Sequence, residues 1–439
     1  MTGDEARQYV LAQARERGVD VEVVGQQSRE LTARAHAGRI EQLTQAVRGG
    51  LGVRVVTGGR TGYAYTEELS PAALDWMLDE AIENARLQQA TDGFLPAGSA
   101  LGRTDLVGDR LTAPLEAKVG AALGFEGTLR EDTRVKQVML AAYTEREVDV
   151  AVVSTQGADG AFRRGVAGIG GSMVMQEGNS LKQGWDMKWV TDLHQLDPGR
   201  TALEFTERTG RLLGARPLKT GLYPAYFEPK PFIHLLSFFW LMWSGKMVME
   251  GKSRLAGRLG ERVAAPIVTL VDDPTMPDGL ASLPFDAEGT PTRALTLLEG
   301  GVLRGVFHNS ETARALGAQT TGHAQRSYRG ILGVSPTNLA LRPGAGLAME
   351  RGVLVTEVTG VHAGANPISG EFSVQGLGLW VEGGEVAYPV ENFAVAGDFL
   401  SLLNDVTALG DALEWEFGMM GGAYGAPLVG VAGLSFAGT

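Results

Sequence analysis

Cysteine is absent from this chain of 439 residues, and histidine is scarce, with six residues in all. The lack of cysteine excludes disulfides, thiolate ligands for zinc and cysteine nucleophiles. It also removes the thiols from which an oxidising or reducing compartment is usually inferred. None of the six histidines is followed directly by glutamate. The chain therefore lacks the His-Glu pair with which the zinc helix of a metalloprotease begins.

An excess of positive charge is missing as well. The chain has 39 Lys and Arg residues against 51 Asp and Glu residues, which gives a formal net charge of −12. Because nucleic-acid binding draws on clustered Lys and Arg, this balance disfavours direct contact with DNA or RNA. The opening segment, MTGDEARQYVLAQARERGVD, is charged throughout and has no apolar core of the signal-peptide type. We therefore expect a cytoplasmic protein without a nucleic-acid partner.

Long hydrophobic runs are also lacking. The most apolar stretch spans residues 232–243, within PKPFIHLLSFFWLMWSGK, and it lies between Pro231 and Gly245. A helix that crosses a bilayer needs about 20 predominantly apolar residues. The stretch is too short for that, and the flanking proline and glycine are start and stop signals for a short helix. We expect no membrane partner.

Glycine, in contrast, is abundant. Its 61 residues are about twice the share of roughly 7% found in ordinary proteins. They fall between short β-branched runs, a pattern that predicts many antiparallel hairpins and tight turns. Helical periodicity predicts helices over residues 4–17, 115–131 and 201–213, and Ser70-Pro71 predicts the start of another because serine caps and proline begins a helix.

The stretch GARPLKTGLYPAY is rich in proline and glycine and has little periodicity, so the domain boundary is predicted there. We predict an α+β fold with two domains. Residues 1–215 form an N-terminal sheet with packed helices. Residues 216–439 form a domain rich in antiparallel β-strands that opens with a buried apolar helix.

His234 lies inside that apolar helix. A catalytic zinc helix would need a second histidine about one turn away and a glutamate between the two. Those positions are instead apolar, namely Leu235, Phe238 and Phe239. A helix that is apolar all round belongs in a core or an interface. We therefore interpret His234 as a packed core or interface histidine, with a functional contact as the alternative.

A metal site assembled from distant residues is a separate hypothesis. Its candidate ligands are the scattered histidines His308, His323 and His362. A proline-containing loop also groups three aspartates, Asp272, Asp273 and Asp278. Their oxygens suit a hard cation, but the spacing is not that of a calcium loop, and turn or capping roles are favoured.

Several segments resemble one known family, the TldD/PmbA proteins, which are described as metalloprotease subunits and as modulators of DNA gyrase. The resemblance runs nearly the full length of the chain. It is most specific in NPISGEFSVQGLGLWVEGGEVAYPVE, which is similar to the PmbA (TldE) branch. It is also carried by these three segments: GRIEQLTQAVRGGLGVRV, VSTQGADG and YGAPLVGVAGLSFAG.

The resemblance implies a two-domain α+β fold and a dimer or heterodimer around a cavity that admits unfolded peptides. In the TldD branch a His-Glu-x-x-x-His helix and a distant cysteine hold zinc. This chain has neither, so the resemblance implies a non-catalytic partner subunit, with zinc only in a TldD-like chain. The expected partners are that chain or a second copy, and an unfolded peptide. An active peptidase with a non-standard site and a protein-binding modulator of gyrase are the alternatives.

The resemblance also suggests where a cavity or an interface would form. Trp240 and Trp243 could anchor a subunit interface, because tryptophans are common at such contacts, with ordinary core packing as the alternative. The segment 366–375 is the candidate for lining the cavity, and its turn contains Asn366, Gly370 and Glu371.

Overall fold

One seven-stranded sheet organises the first half of the chain in this computed structural model, which describes residues 1–439. Its strands are β1 (Asp20–His36), β2 (Arg39–Thr57), β3 (Arg60–Thr66), β4 (Ala100–Asp105), β5 (Val135–Ser154), β6 (Asp159–Glu177) and β7 (Ser180–Val190). They run in the order β3-β2-β1-β5-β6-β4, and β7 also pairs with β6. All pairings are antiparallel except that between β4 and β6.

Four helices pack on one face of this sheet: α1 (Gly3–Glu16), α2 (Pro71–Leu87), α3 (Leu115–Glu131) and α4 (Pro198–Gly210). β1 packs against both pairs of helices. Its residues Val21 and Val23 pack with α1 and α2, and its residues Leu31 and Ala33 pack with α3 and α4. Odd-numbered residues of a strand share one face, so the two cores lie side by side.

All four helices confirm the sequence-based predictions. The Ser70 hydroxyl accepts a hydrogen bond from the Ala73 amide and caps α2, as the Ser-Pro pair predicts. α4 begins earlier than its periodicity indicates, because Asp197 caps it through the Arg200 amide and Pro198 takes the first helical position.

A closed ring of five strands forms the centre of the second half. β9 (Gly221–Phe227) pairs in parallel with β16 (Gly352–Thr359), which pairs with β17 (Glu371–Glu382). β17 pairs with β18 (Glu385–Asp398), and β22 (Val429–Ala437) joins β18 back to β9. Closing a sheet on itself leaves none of these five strands as a full edge.

A second sheet runs β12-β11-β10-β15-β21-β20. The remaining strands of this half are β8 (Arg216–Pro217), β10 (Leu270–Asp272), β11 (Leu295–Glu299), β12 (Val302–Leu303), β13 (Ala324–Gln325), β14 (Gly333–Val334), β15 (Asn338–Leu341), β19 (Val406–Leu409), β20 (Glu414–Phe417) and β21 (Ala423–Ala426). Its helices are α5 (Pro229–Phe239), α6 (Gly245–Met249), α7 (Ser310–Ala315), α8 (Val361–Gly364) and α9 (Phe399–Asn404). One apolar core of 45 buried residues includes five of the 11 residues of α5.

Two glycine pairs turn hairpins, of the kind that the glycine-rich pattern predicts. Gly383 and Gly384 join β17 to β18 with φ of 62° and 86°, and Gly300 and Gly301 join β11 to β12 with φ of 55° and 77°. These left-handed conformations are open to glycine without steric cost and match the twist of a two-residue hairpin.

The two halves meet across a buried network of ion pairs. The Arg54 guanidinium of β2 lies 2.9 Å from Glu288 Oε1 and 3.5 Å from Glu22 Oε2, and all three side chains are almost fully buried. Arg326 donates to Glu22 Oε1 at 3.1 Å. The backbones also approach closely, since a Cβ at Gly52 would lie 1.9 Å from the Tyr328 carbonyl oxygen.

The observed fold confirms the predicted α+β class. The division into residues 1–215 and 216–439 stays a prediction, although it falls between the end of α4 and the start of β8. No helix of the structure is both long enough and apolar enough to span a bilayer.

We predict that Arg54→Ala lowers the free energy of unfolding by about 3–5 kcal/mol, because it leaves the buried carboxylate of Glu288 without its cation and that of Glu22 with Arg326 alone. Urea denaturation followed by circular dichroism measures this change. Arg60→Ala is the matched control: Arg60 is exposed on β3, and surface substitutions usually change stability by less than about 0.5 kcal/mol. Equal stability of the two variants would contradict the prediction.

Candidate functional site

Helix α5 is anchored in the C-terminal core. Its buried face includes Phe232, Leu235, Leu236 and Phe239, each at most 1% exposed. Phe239 stacks on Phe399 of α9 with ring centroids 4.5 Å apart. The helix begins at Pro229, where the fixed φ of proline suits the first turn.

Trp240 and Trp243 lie in a 3₁₀ turn directly after α5 and are 4% and 0% exposed. Neither indole N–H has a hydrogen-bond partner in the structure. Both side chains belong to the same core as α5. Both tryptophans therefore pack in the core of this chain, and their role at a subunit interface stays a prediction.

The other face of α5 is only half-buried and carries Lys230, His234 and Phe238. These residues are four apart, so they form one stripe along the helix. Burial lowers the pKa of His234, and the positive charge of Lys230 one turn away lowers it further. His234 is therefore a neutral imidazole in a partly exposed position, and its predicted role as a core or interface residue stays a prediction.

The stripe does not fit a zinc ion. His234 is its single imidazole, the next position on the same face is Phe238, and the previous one is a cationic lysine. No group of three or more His, Asp or Glu side chains in the chain is placed to hold a metal ion. Zinc needs three or four convergent ligands of this kind.

A charge cluster surrounds the N-terminal end of this stripe. Lys230 Nζ lies 2.8 Å from Asp186 Oδ1 of β7, and Arg208 of α4 binds the other oxygen of the same carboxylate. Glu416 of β20 lies 3.9 Å from Lys230. We refer to Asp186, Arg208, Lys230 and Glu416 as the α5 charge cluster. Its members come from both halves of the chain.

The pKa values of the two carboxylates in the cluster are shifted in opposite directions. Burial acts to raise the pKa of Asp186, but Lys230 and Arg208 outweigh it and hold that pKa below its ordinary range. Burial raises the pKa of Glu416 to about 7, and Lys230 offsets this only in part. Glu416 can therefore take up or release a proton near neutral pH, beside a fixed cation.

Sequence reasoning missed this cluster because its members are far apart in the chain. The one local signal was the alternation in Glu414-Trp415-Glu416, which places both glutamates on one face of a strand. Nothing in that segment identifies Lys230 or Asp186 as its neighbours.

The turn predicted to line a cavity lies towards the other end of the α5 segment. The side chain of Asn366 accepts a hydrogen bond from the Ile368 amide at 2.9 Å, and Gly370 has a φ of 86°. A Cβ at Gly370 would lie 3.1 Å from the end of the Met242 side chain. Met242 lies in the 3₁₀ turn that follows the C-terminal end of α5, whereas Lys230 lies in the first turn of α5. Glu371 is exposed, and the cavity-lining role of the turn stays a prediction.

The scattered histidines do not converge. Buried His323 bonds through Nε2 to Asp272 at 2.9 Å and through Nδ1 to Thr321 at 3.0 Å. Nδ1 of His308 contacts Thr312 instead, at 3.2 Å. His362 is exposed on α8. The structure brings His308 and His323 near Thr321 but leaves His362 apart from them.

Of the three aspartates of the proline-containing loop, Asp273 has the turn role that the sequence favoured, whereas Asp272 and Asp278 bond to distant residues. Asp272 accepts the Thr337 amide, Asp273 accepts the Thr275 amide, and Asp278 pairs with Arg110. Because each carboxylate has its own distinct partner, the three do not form one cation site.

Comparison with known proteins identifies relatives over almost the whole chain. Three family models match, and they are described as PmbA/TldA metallopeptidase domain 1 over residues 21–85, the central domain over residues 109–213 and the C-terminal domain over residues 220–438. A metalloprotease PmbA from Escherichia coli O157:H7 is 25% identical, with 98% of this chain and 96% of that protein covered. A metalloprotease TldD homologue from Haemophilus influenzae is also 25% identical, with 84% and 81% covered.

Solved structures share the fold. A Thermotoga maritima protein, described as a candidate modulator of a DNA gyrase, has a TM-score of 0.87 and 29% identity, with 99% of this chain and 100% of that chain covered. TldE from Thermococcus kodakarensis has a TM-score of 0.88 at 21% identity, with 98% and 100% covered. At that identity the likeness to TldE concerns the fold.

We predict that Glu416→Gln stabilises the protein above neutral pH. In the folded chain Glu416 has a pKa of about 7, whereas its ordinary value is 4.5. Ionisation of Glu416 therefore opposes folding as the pH rises from 4.5 to 7. The stability of the variant relative to wild type should grow from pH 4.5 to pH 7 and then level off, by roughly 1–3 kcal/mol. Urea denaturation at pH 5 and pH 8 measures it.

Glu414→Gln is the matched control for this prediction. Glu414 lies two residues away on the same strand, but its side chain is 54% exposed, so its variant should track wild type at both pH values. A Glu416→Gln protein whose advantage is the same at pH 5 and pH 8 would show that Glu416 does not titrate in this range.

Proposed function

The chain belongs to the PmbA/TldD metallopeptidase family, and from that premise we propose that it is a non-catalytic PmbA/TldE-like subunit. In this role it pairs with a TldD-like protease that processes small or unfolded peptides. The family supplies the general assignment, because its models match 21–85, 109–213 and 220–438. The residues on α5 support the more specific assignment, that of a non-catalytic subunit.

The half-exposed face of α5 is the observation that carries this proposal. The resemblance places a His-Glu-x-x-x-His helix of the TldD branch at the start of the C-terminal domain. Here that helix presents Lys230, His234 and Phe238. Lys230 is held by Asp186, so a fixed ammonium lies beside the only imidazole of the stripe. A second cation bound there would be repelled by this charge.

A peptide-processing role for the assembly follows from the resemblance and from the relatives named as metalloproteases. In the proposed assembly the TldD-like chain holds zinc and cleaves the peptide, whereas this chain contributes a wall of the enclosed space. The turn at Asn366, Gly370 and Glu371 and the half-exposed stripe of α5 are its candidate lining. This chain carries out no proton transfer or nucleophilic step in that scheme.

Modulation of DNA gyrase is the second candidate function, favoured by the description of the Thermotoga maritima relative. The net charge of −12 argues for contact with a protein rather than with DNA. Retention of purified gyrase on the immobilised chain would support this function, and a lack of retention would exclude it.

We predict that the purified chain carries no zinc and cleaves no peptide alone. A TldD-like chain should carry the zinc, and the mixture should cleave an unfolded peptide substrate. Elemental mass spectrometry of each chain, with a cleavage assay on each chain and on the mixture, measures both. The physical reason is that no three ligands of the chain converge on one point.

Substitution of the histidines distinguishes the outcomes. The exposed His362 is the control position, because His362→Ala should change neither zinc content nor cleavage in the mixture. Zinc near one ion per chain, together with cleavage by this chain alone, would overturn the proposal. Loss of both in His308→Ala or His323→Ala would then assign the active-peptidase alternative.

A further inference from the structure

A cavity of about 260 Å³ lies between the two halves of the chain, on the face of the N-terminal sheet that carries no helices. The helices pack on odd-numbered side chains of β1, so its even-numbered side chains face the C-terminal half. Val24 of that face packs with Phe285, for example. The sheet side chains that line the cavity are Gln26 of β1, Arg146 and Val148 of β5, and Arg164 and Val166 of β6.

The half-buried Arg164 brings a positive charge to this cavity that no acidic side chain neutralises. Its guanidinium donates to the Ala281 carbonyl oxygen over a long distance of 3.4 Å, and it forms no ion pair. Burial lowers the pKa of Arg164 to about 10, and the positive charge of Arg146 lowers it further. Arg164 is therefore still charged at neutral pH, and most of its five N–H donors are available to an anion.

Asp286 is the one acidic side chain that lines the cavity, and its oxygens are already bound. They accept the backbone amides of Glu288, Thr290 and Ala324 at 2.9, 2.9 and 3.0 Å. Burial raises the pKa of Asp286 to about 8, and the charge of Glu288 contributes to the rise. At neutral pH Asp286 is mostly protonated, so it neither pairs with Arg164 nor repels an anion bound there.

Apolar side chains from both halves form much of the remaining wall. They are Val148, Val166, Leu280, Leu283 and Phe417. Phe417 is half-buried and packs edge-on against Trp189, with ring centroids 5.3 Å apart. The cavity is smaller than the roughly 300–1,000 Å³ of sites for drug-sized ligands. Its size, its apolar wall and its single unpaired cation suit a small molecule with one negative group and a compact hydrocarbon part.

We propose that this cavity binds a small monocarboxylate, whose carboxylate pairs with the Arg164 guanidinium and whose aliphatic chain lies against Val166 and Phe417. The two oxygens of a carboxylate match two parallel N–H donors of a guanidinium, which makes such a pair strong and directional. The site goes beyond the proposed subunit role, because it requires neither zinc nor a protease chain.

The lining also indicates what the ligand lacks. No ionised acidic side chain of the cavity is available for an ammonium group, so a free amino acid would bury its ammonium without a partner. Two sources of monocarboxylate avoid this cost. One is a free short-chain carboxylic acid, and the other is the last residue of a peptide, whose nitrogen is an uncharged amide.

Three probes with the same carbon skeleton test the proposed chemistry. 4-Methylpentanoate carries the carboxylate alone, 4-methylpentanamide replaces it with a neutral amide, and leucine adds an ammonium. Isothermal titration calorimetry of the full-length chain should show one saturable site for 4-methylpentanoate, with a Kd of about 1 mM or tighter. The amide and leucine should bind at least about tenfold more weakly.

N-acetylleucine distinguishes the two sources, because it carries the uncharged amide that precedes a peptide's last carboxylate. Tighter binding of N-acetylleucine than of 4-methylpentanoate would assign the site to the end of a peptide. Tighter binding of 4-methylpentanoate would assign it to a free carboxylic acid.

Substitution of Arg164 tests where the carboxylate lies. Arg164→Gln removes the charge but keeps an amide donor for Ala281, and it should weaken the binding of 4-methylpentanoate by about tenfold or more. Arg146→Gln is the matched control. Arg146 lines the same cavity, but it is exposed and pairs with Glu30 at 3.4 Å, so its loss should weaken binding by less than about threefold. Circular dichroism checks that both variants are folded.

The comparison of probes uses the wild-type chain, so it stands even if a variant fails to fold. Equal binding of 4-methylpentanoate and its amide would overturn the proposal, as would a lack of saturable binding by both 4-methylpentanoate and N-acetylleucine. Binding that a folded Arg164→Gln chain leaves unchanged would place the carboxylate elsewhere. Zinc content and peptide cleavage are measured separately, so none of these results decides the proposed subunit role.

Discussion

The ion pairs of Arg54 with Glu22 and Glu288 are the contact on which the arrangement of the two halves depends. Burial would disfavour the charged guanidinium, but the two carboxylates reverse this and raise the pKa of Arg54. Two of its nitrogens have no hydrogen-bond partner, so the network is not fully satisfied. Such a group is stable only while its partners stay in place, which ties the position of Glu288 to the N-terminal sheet.

The α5 charge cluster follows from that docking. Asp186 and Arg208 belong to the N-terminal half, whereas Lys230 and Glu416 belong to the C-terminal half. If the halves separated, Asp186 would lose Lys230 and Glu416 would return to water. The raised pKa of Glu416 is therefore a property of the docked chain. The protonation state of Glu416 near neutral pH depends on whether the two halves are in contact.

Local signals in the sequence predicted the local structure well. Ser70-Pro71 marked the start of α2, and the glycine-rich pattern indicated hairpins such as the one at Gly383 and Gly384, because caps and left-handed glycines act within a few residues. Ring closure by β22 and the pairing of Lys230 with Asp186 could not be predicted in this way. These contacts join distant segments, and Lys and Asp are also common at ordinary surface positions.

Helix α5 shows why the fold alone does not reveal the chemistry of the chain. Its buried face packs against the C-terminal core, and any member of the fold needs apolar residues there. Its half-exposed face does not need apolar residues for core packing. Changes of side chain on this face, which here carries Lys230 and Phe238, leave the core packing intact. The catalytic and the non-catalytic subunit of the proposed assembly can thus share one architecture and differ in whether they carry metal ligands.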